Sequence, residues 1–270
     1  MEIKKTVDII KWDSGRKQEM RDEIIVEEVV EILLNGKHFV YLMCTPCDMD
    51  ELAIGYLFAE GAIDSADQIG SIDHPDWNRI CVNMKKEAVT EHLKNFICGN
   101  DENGTEMRAV ASGCGKGKVS LISLDGVESI VSGKIYQASD ITRWMDGFGN
   151  RSVLFKETGG VHSCAAVKDG EILFFSEDIG RHNALDKVIG KLLLNHVDFD
   201  DIVLLSTGRI SYDIAIKAAK AGIPVVASFS AATDRALAAA RKANITLIGF
   251  VRGSRMNIYN GEQRIDFGTE

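Results

Sequence analysis

The second half of the chain alternates short apolar runs with amphipathic segments, and this alternation limits the possible folds more than any other feature. The apolar runs lie at residues 202–207, 225–229 and 246–251, and helical patterns lie between them, at 212–221 and 234–242. Continuously apolar strands that alternate with helices are typical of a parallel sheet that is buried on both faces. The sequence therefore predicts an α/β fold in which helices cover both faces of a layered sheet.

The first hundred residues show a different pattern. An Asn-Gly pair at residues 35–36 separates two apolar runs, at 27–34 and 37–43. Such a pair predicts a hairpin, because both residues tolerate the positive φ of a type I′ turn. Asp48, with Glu51 three residues later, resembles the capping box that begins a helix. We expect a small N-terminal α+β unit.

A long polar connection separates these two patterns. Residues 98–119 are rich in glycine and polar side chains, and loops of this length in folded proteins are usually functional or disordered. We place a domain boundary here, which predicts an N-terminal α+β domain over residues 1–108 and a second domain over residues 109–270. The second domain begins with the cysteine loop described below.

Charge and cysteine content exclude several classes of protein. With 31 Lys and Arg against 40 Asp and Glu, the net charge of −9 gives no overall positive field for nucleic acid. Six cysteines in 270 residues are too few for a disulfide scaffold. The first eight residues lack the apolar core of a signal peptide, and no window reaches the ~18 apolar residues of a membrane span. We expect a cytoplasmic protein with reduced thiols that binds neither nucleic acid nor membrane.

Polar loops follow three consecutive strands of the predicted sheet. They span residues 206–209, 230–235 and 252–255 and combine small hydroxylated residues, glycine and arginine. Ligands of parallel sheets collect at the carboxyl ends of the strands, and these residue types suit a phosphate group. The three loops together predict an anion pocket. The alternative is that Ser211 and Thr233 only cap helices and that the arginines are solvated.

One cysteine lies in a setting that favours reactivity. Cys114 is in the glycine-rich segment 112–118, with Lys116 and Lys118 close by in sequence. Nearby positive charge and accessibility lower the pKa of a thiol, and the thiolate is the nucleophile. The alternative is a surface loop in which the cysteine is incidental.

Three other polar groups are candidates for chemistry. Cys44 and Cys47 form a CxxC pair, typical of a dithiol switch or of half a zinc site; no second CxxC exists, and two packed thiols are the alternative. His162 and Cys164 face the same side of a predicted strand but supply only two ligands. His182 stands where a strand becomes a helix, which suits proton transfer, ligand contact or a solvated helix start. The sequence predicts no metal site.

Six stretches, in order from about residue 25 to the C-terminus, carry a resemblance to a known family. They are residues 45–61 (TPCDMDELAIGYLFAEG), 112–115 (SGCG), 158–163 (TGGVHS), 177–187 (EDIGRHNALDK), 206–211 (STGRIS) and 249–252 (GFVR). In these stretches the chain resembles the formate dehydrogenase accessory sulfurtransferase family, FdhD. The segment 177–187 is the most specific of the six.

The resemblance implies a sulfur carrier. Family members accept sulfur from a cysteine desulfurase as a persulfide and pass it to a molybdenum or tungsten bis(molybdopterin guanine dinucleotide) cofactor, before that cofactor enters formate dehydrogenase. Cys114 would carry the persulfide, and the cofactor would be a bound substrate, with no cofactor held permanently. The resemblance also implies a cytidine-deaminase-like larger domain and a homodimer. The implied guanine-dinucleotide segment comprises Phe250, Val251, Arg252, Gly253, Ser254 and Arg255, and the strand-end argument adds Thr207, Gly208, Arg209 and His182.

The chain departs from the family pattern at one position of the loop. Some family members carry a second cysteine three residues after the first, where this chain has Gly117. A disulfide within the loop is therefore impossible here. Two other hypotheses stay open: a non-catalytic chaperone that binds and delivers the cofactor, for which Cys114 is incidental, and redox control through Cys44 and Cys47.

Overall fold

The structure, a computed structural model, describes residues 2–89, 109–110 and 128–268. The N-terminal part contains a hairpin, one helix and a five-stranded sheet. The hairpin pairs β1 (Lys4–Asp13) with β2 (Arg16–Ile25) along their whole length. The sheet strands and the helix are β3 (Glu28–Leu34), β4 (Lys37–Cys44), α1 (Met49–Ala59), β5 (Ile69–Asp76), β6 (Arg79–Met84) and β7 (Ala109–Val110). The strand order is β5-β6-β3-β4-β7.

The Asn-Gly hairpin is confirmed, and the capping box is wrong. Residues 35 and 36 join β3 to β4 with φ values of 51° and 78°. Asp48 precedes α1 but makes no side-chain cap hydrogen bond. Its Oδ2 accepts hydrogen bonds from Lys191 Nζ at 2.7 Å and from Ser176 Oγ at 2.9 Å instead. These partners lie far away in sequence, so a local pattern does not reveal them.

The C-terminal part is built on a mixed six-stranded sheet. Its elements are α2 (Ala138–Arg151), α3 (Val153–Thr158), β9 (His162–Lys168), β10 (Glu171–Asp178), α4 (Arg181–Leu194), β11 (Val203–Ser206), α5 (Tyr212–Lys220), β12 (Val225–Ser228), α6 (Asp234–Ala243), β13 (Thr246–Arg252) and β14 (Arg255–Asn260). The order is β10-β9-β11-β12-β13-β14. The strands β11, β12 and β13 are parallel, as predicted, and the flanking pairs are antiparallel. A small parallel bridge joins β8 (Tyr136–Gln137) to β15 (Ile265–Asp266).

Helices cover both faces of this sheet. On one face, Val203 and Leu205 of β11 pack in a cluster with Met145 and Phe148 of α2. On the other face, Leu204 belongs to a larger cluster that includes the buried residues of α4, α5 and α6. Successive residues of a strand point to opposite faces, so a continuously apolar strand supplies both layers. The mixed α/β class is thus observed.

The larger cluster also contains the core of the five-stranded sheet. It runs from Val30 and Leu42, through Leu52 of α1, to Leu185 and Leu247. Three short 3₁₀ turns complete the described elements, at Ala66–Gln68, Lys86–Ala88 and Glu262–Arg264. In the described ranges, no helix is long and apolar enough to cross a membrane. The predicted domain boundary between residues 108 and 109 stays a prediction.

Two glycines allow α1 and α4 to approach each other closely. A Cβ atom at Gly55 of α1 would overlap the carbonyl oxygen of Asp186, and one at Gly190 of α4 would overlap the carbonyl oxygen of Glu51. Both obstacles are backbone atoms, which a side-chain rotation cannot remove. The contact between the two helices therefore requires glycine at both positions.

We expect Gly55→Ala and Gly190→Ala each to lower the free energy of unfolding by about 1–3 kcal/mol or more, because the added methyl forces the helices apart. Gly147→Ala on α2 is the matched control, since nothing lies within 4 Å of its Cβ position. There, alanine should be neutral or stabilise by up to about 1 kcal/mol. Urea unfolding of the three variants measures this; equal effects at all three positions would contradict the close helix contact.

Candidate functional site

The three polar loops predicted from the sequence lie at one edge of the six-stranded sheet. They follow β11, β12 and β13, which are parallel neighbours and so end on the same side. We call residues 207–209, 230–235 and 250–255 the strand-end rim. The start of β9 lies at the same edge, because β9 runs antiparallel to β11.

Hydrogen bonds join the loops of the strand-end rim. The Ser228 hydroxyl donates to the Gly208 carbonyl at 2.7 Å. The Phe250 N–H donates to the Ser230 carbonyl at 3.1 Å. Backbone and hydroxyl groups therefore hold the three loops side by side, and these hydrogen bonds do not use the arginine side chains.

Thr207 links the rim to the start of β9. Its Oγ1 accepts the Ser163 N–H at 3.0 Å and lies 3.2 Å from His162 Nδ1. Burial lowers the pKa of His162, and the Arg181 and Arg209 charges lower it further. His162 is consequently a neutral ring beside two guanidinium groups at pH 7.

Arg181, the first residue of α4, lies against the rim. Its Cβ and Cδ are 2.9 and 3.0 Å from the position that a Cβ of Gly208 would occupy. Glycine at 208 thus gives space for the stem of this arginine. The Nε of Arg181 is buried and has no hydrogen-bond partner among the described residues.

His182 is placed next to Arg181, with Nε2 3.2 Å from Ser211 Oγ. Burial is the main cause that lowers its pKa to about 3, and the charges of Lys217 and Arg181 and the nearby His162 add to it. The ring is therefore neutral near pH 7. It suits hydrogen bonding better than charge pairing with an anion.

The segment 250–255 presents an aromatic ring and two arginines. Phe250 is 41% exposed and has a φ of 52°, a conformation that is rare for a bulky residue. A Cβ at Gly249 would lie 2.7 Å from the Ser230 carbonyl oxygen, so the approach of the two loops requires glycine there. The side chain of Val251 is fully buried and offers a ligand only its backbone. The exposed members are Phe250, Arg252, Gly253, Ser254 and Arg255.

A buried ion pair lies behind the rim. Lys187 Nζ is 2.7 Å from Asp178 Oδ2, and both side chains have no solvent exposure. Lys187 Nζ also donates to the carbonyls of Thr45, at 3.0 Å, and Glu177, at 3.1 Å. The pair thus joins the end of β10, the helix α4 and the segment that follows β4.

The CxxC cysteines differ in exposure. Cys44 is buried, and burial raises its pKa to about 12. Cys47 is half-buried, and burial raises its pKa as well. The charge of Lys187, whose Nζ lies 3.6 Å from the Cys47 sulfur, only partly opposes this shift. Cys164 is buried too. Both CxxC thiols are therefore protonated near pH 7, which opposes a dithiol switch.

Among the residues that the structure describes, no group of three or more His, Cys, Asp or Glu could hold a metal ion.

Cys114, Lys116, Gly117 and Lys118 lie outside the described residues. The preceding strand is described: β7 pairs in parallel with β4, with Val110 opposite Leu42. Val110 is four residues before Cys114. The described strand β7 therefore ends on the same side of the five-stranded sheet as β4.

Two residues of this region were not among the predicted site residues: Arg181 and Lys187. Both belong to the segment 177–187, which carries the most specific part of the family resemblance. Lys187 stands between apolar positions of α4, at Leu185 and Val188. A lysine in that place indicates a buried charge that needs a partner, and this signal was available in the sequence.

Comparison with known proteins assigns the family. The model described as the FdhD/NarQ family matches residues 25–266. The chain belongs to the FdhD/NarQ family. The expected family resemblance is thus confirmed over nearly the whole chain.

Relatives in the FdhD/NarQ family match end to end. A protein of Geobacillus kaustophilus named "Sulfur carrier protein FdhD" is 37% identical over 262 residues, covering 96% of each chain. A protein of Listeria monocytogenes with the same name is 33% identical and covers 98% of this chain and 100% of its own. A crystal structure of a putative formate dehydrogenase accessory protein from Desulfotalea psychrophila matches with a TM-score of 0.77 and 25% identity, over 98% of this chain and 100% of that one.

The lowered pKa of His182 predicts how this FdhD/NarQ member responds to acid. Between pH 6.5 and about 3 the unfolded chain binds a proton at this ring that the folded chain does not, so stability falls as the pH falls through that range. In that range the free energy of unfolding falls by up to about 1.4 kcal/mol per pH unit. We expect His182→Asn to make the fall shallower, measured by urea unfolding at several pH values. An unchanged slope in His182→Asn would contradict the buried neutral ring.

Proposed function

We propose that the protein is a sulfur carrier in formate dehydrogenase maturation. Cys114 accepts persulfide sulfur from a cysteine desulfurase and passes it to a molybdenum or tungsten bis(molybdopterin guanine dinucleotide) cofactor, which is a bound substrate. The strand-end rim carries this proposal, because a cofactor with several phosphates requires such a cationic surface. The name shared by the full-length relatives supports it as well.

The rim suits a guanine dinucleotide in both of its parts. The exposed ring of Phe250 offers a surface on which a base can stack, and Arg252 and Arg255 offer planar donors to phosphate oxygens. The chain as a whole carries a net charge of −9. A local group of arginines is therefore the means by which an anionic ligand is attracted to this particular edge.

The carrier step needs only a thiolate. The Cys114 thiolate attacks the outer sulfur of the desulfurase persulfide; a new S–S bond forms at Cys114, the donor S–S bond breaks, and the desulfurase cysteine leaves as a thiolate. No external oxidant or reductant takes part in this exchange. Lys116 and Lys118 are placed in sequence to favour the thiolate.

The proposal includes the architecture and setting of the protein. The six-stranded sheet with helices on both faces supports a cytidine-deaminase-like layering of the larger domain. The protein acts as a homodimer in the cytoplasm, where thiols stay reduced. Its partners are the desulfurase and formate dehydrogenase.

Sulfur loading tests the proposal directly. The purified full chain is mixed with a cysteine desulfurase and cysteine, alkylated without reductant, and peptide-mapped for a one-sulfur mass gain. We expect the gain on the Cys114 peptide and its loss in Cys114→Ser, because serine forms no persulfide. Cys47→Ser is the matched control and should load like the wild type. A gain on any peptide other than that of Cys114 would sink the assignment.

The same variants separate a carrier from a cofactor chaperone. A carrier needs Cys114 for formate dehydrogenase activation, whereas a chaperone needs only the rim. We expect Cys114→Ser to bind guanosine diphosphate normally but to abolish activation. The double variant Arg252→Gln/Arg255→Gln should weaken nucleotide binding by roughly tenfold or more, from the loss of charge-assisted hydrogen bonds. Full activation by Cys114→Ser would favour the chaperone.

A further inference from the structure

A second group of polar side chains lies beside segment 250–255, at the place where β9, β11 and α4 meet. It comprises His162, Arg181, Thr207, Gly208 and Arg209, which we call the inner subsite. Its members come from the start of β9, the start of α4 and the loop after β11. Three separate elements therefore bring donors to one place.

Arg181 is the central member of the inner subsite. Its stem packs over Gly208, which fixes the direction of the side chain, and its buried Nε has no acceptor in the described part of the chain. A buried donor without an acceptor is costly and calls for a ligand or an ordered water. The unused donor capacity of Arg181 thus points to an absent acceptor.

Carboxylates do not neutralise the arginines of the subsite. Among the described residues, arginine salt bridges form at Arg21, Arg79 and Arg143, and none forms at Arg181 or Arg209. Glu177 of the neighbouring strand β10 accepts hydrogen bonds at Oε1 from the hydroxyls of Ser152 and Ser163 instead. Two positive charges are consequently available to an external anion.

His162 adds a neutral donor. Thr207 Oγ1 accepts the Ser163 N–H, and its own hydrogen has two acceptors, His162 Nδ1 at 3.2 Å and the Ser163 carbonyl at 3.5 Å. When the Thr207 hydroxyl donates to Nδ1, the hydrogen of the neutral ring is on Nε2, which can donate to an oxyanion. Burial, reinforced by the Arg181 and Arg209 charges, lowers the pKa of His162 and keeps the ring neutral.

We propose that the inner subsite binds a phosphate group, with Arg181 as the main donor and with Arg209 and His162 in support. Two guanidinium groups match the charge of a phosphate dianion, and the planar fork of arginine matches its oxygens. The inference rests on the proposed function in one respect: the phosphate is taken to be part of the pyrophosphate of the guanine dinucleotide, to which Arg252 and Arg255 also donate, while Phe250 stacks on the base. Free phosphate is the other source of the same chemistry.

Calorimetric titration of the full chain with three probes tests the subsite: inorganic pyrophosphate, guanosine diphosphate and guanosine. We expect Arg181→Gln to weaken the binding of both phosphate-bearing probes by about tenfold or more, from the loss of a charge-assisted pair. Guanosine binding should not change. Arg143→Gln, an exposed arginine paired with Asp140 on α2, is the matched control and should bind all three probes like the wild type.

Two outcomes overturn the proposal: no pyrophosphate binding by the wild type, or wild-type pyrophosphate affinity in Arg181→Gln. If Arg181→Gln does not fold, as judged by thermal melting, Arg181→Lys replaces it. Lysine keeps the charge but lacks the fork, and we expect a loss of a few fold, with unchanged affinity again overturning the proposal. Competition identifies the source: pyrophosphate displaced by guanosine diphosphate supports the nucleotide, and simultaneous binding of both supports free phosphate.

Sulfur loading separates this proposal from the proposed function. Arg181→Gln should load sulfur on Cys114 like the wild type, because the subsite acts on the nucleotide and not on the thiol. If the wild type binds pyrophosphate through Arg181 but never loads sulfur, the subsite is supported and the carrier function is contradicted. If the wild type loads sulfur but the Arg181 substitution leaves the affinity for pyrophosphate unchanged, the carrier function is supported and the subsite is contradicted.

Discussion

Two opposite charges without solvent exposure, Asp178 and Lys187, meet at 2.7 Å where the six-stranded sheet lies next to the segment that follows β4 of the five-stranded sheet. Asp178 also accepts the N–H groups of Thr45 and Gly180, at 3.1 and 2.8 Å, and an amide hydrogen of Asn183 at 2.9 Å. Removing one partner of such a pair typically costs about 3–5 kcal/mol, because the other charge stays buried. The turn from β10 into α4, and with it the position of Arg181, depends on this pair.

The cationic edge of the sheet is a local property in an acidic protein. Backbone and hydroxyl groups satisfy one another between the loops, as Ser228 does with Gly208 and Phe250 with Ser230. Arginines at 181 and 209 are thus not consumed in holding the loops together. Under the proposed function, these donors are kept for the ligand, and the loops do not need to rearrange when it binds.

Local features of the fold were predictable, and contacts between distant residues were not. The Asn-Gly turn at 35–36 and the three parallel strands follow from turn chemistry and apolar runs, which are properties of adjacent residues. The role of Asp48 did not follow, because its partner Lys191 lies 143 residues away and outcompetes a helix cap. The strand-end rim was predictable from topology, since parallel strands end together. The lack of a hydrogen-bond partner for Arg181 Nε among the described residues was not, because it depends on the packing of the arginine stem over Gly208. The buried side chain of Val251 likewise depends on which face of β13 the core covers.

The left-handed backbone of Phe250 has a consequence for how this position tolerates change. A bulky side chain at a φ of 52° carries a conformational cost of about 1–2 kcal/mol, which glycine would not carry. Folding alone therefore gives no reason to keep an aromatic residue there. The exposed ring costs stability, so under the proposed function a glycine at residue 250 would favour the fold and remove the surface on which the base stacks.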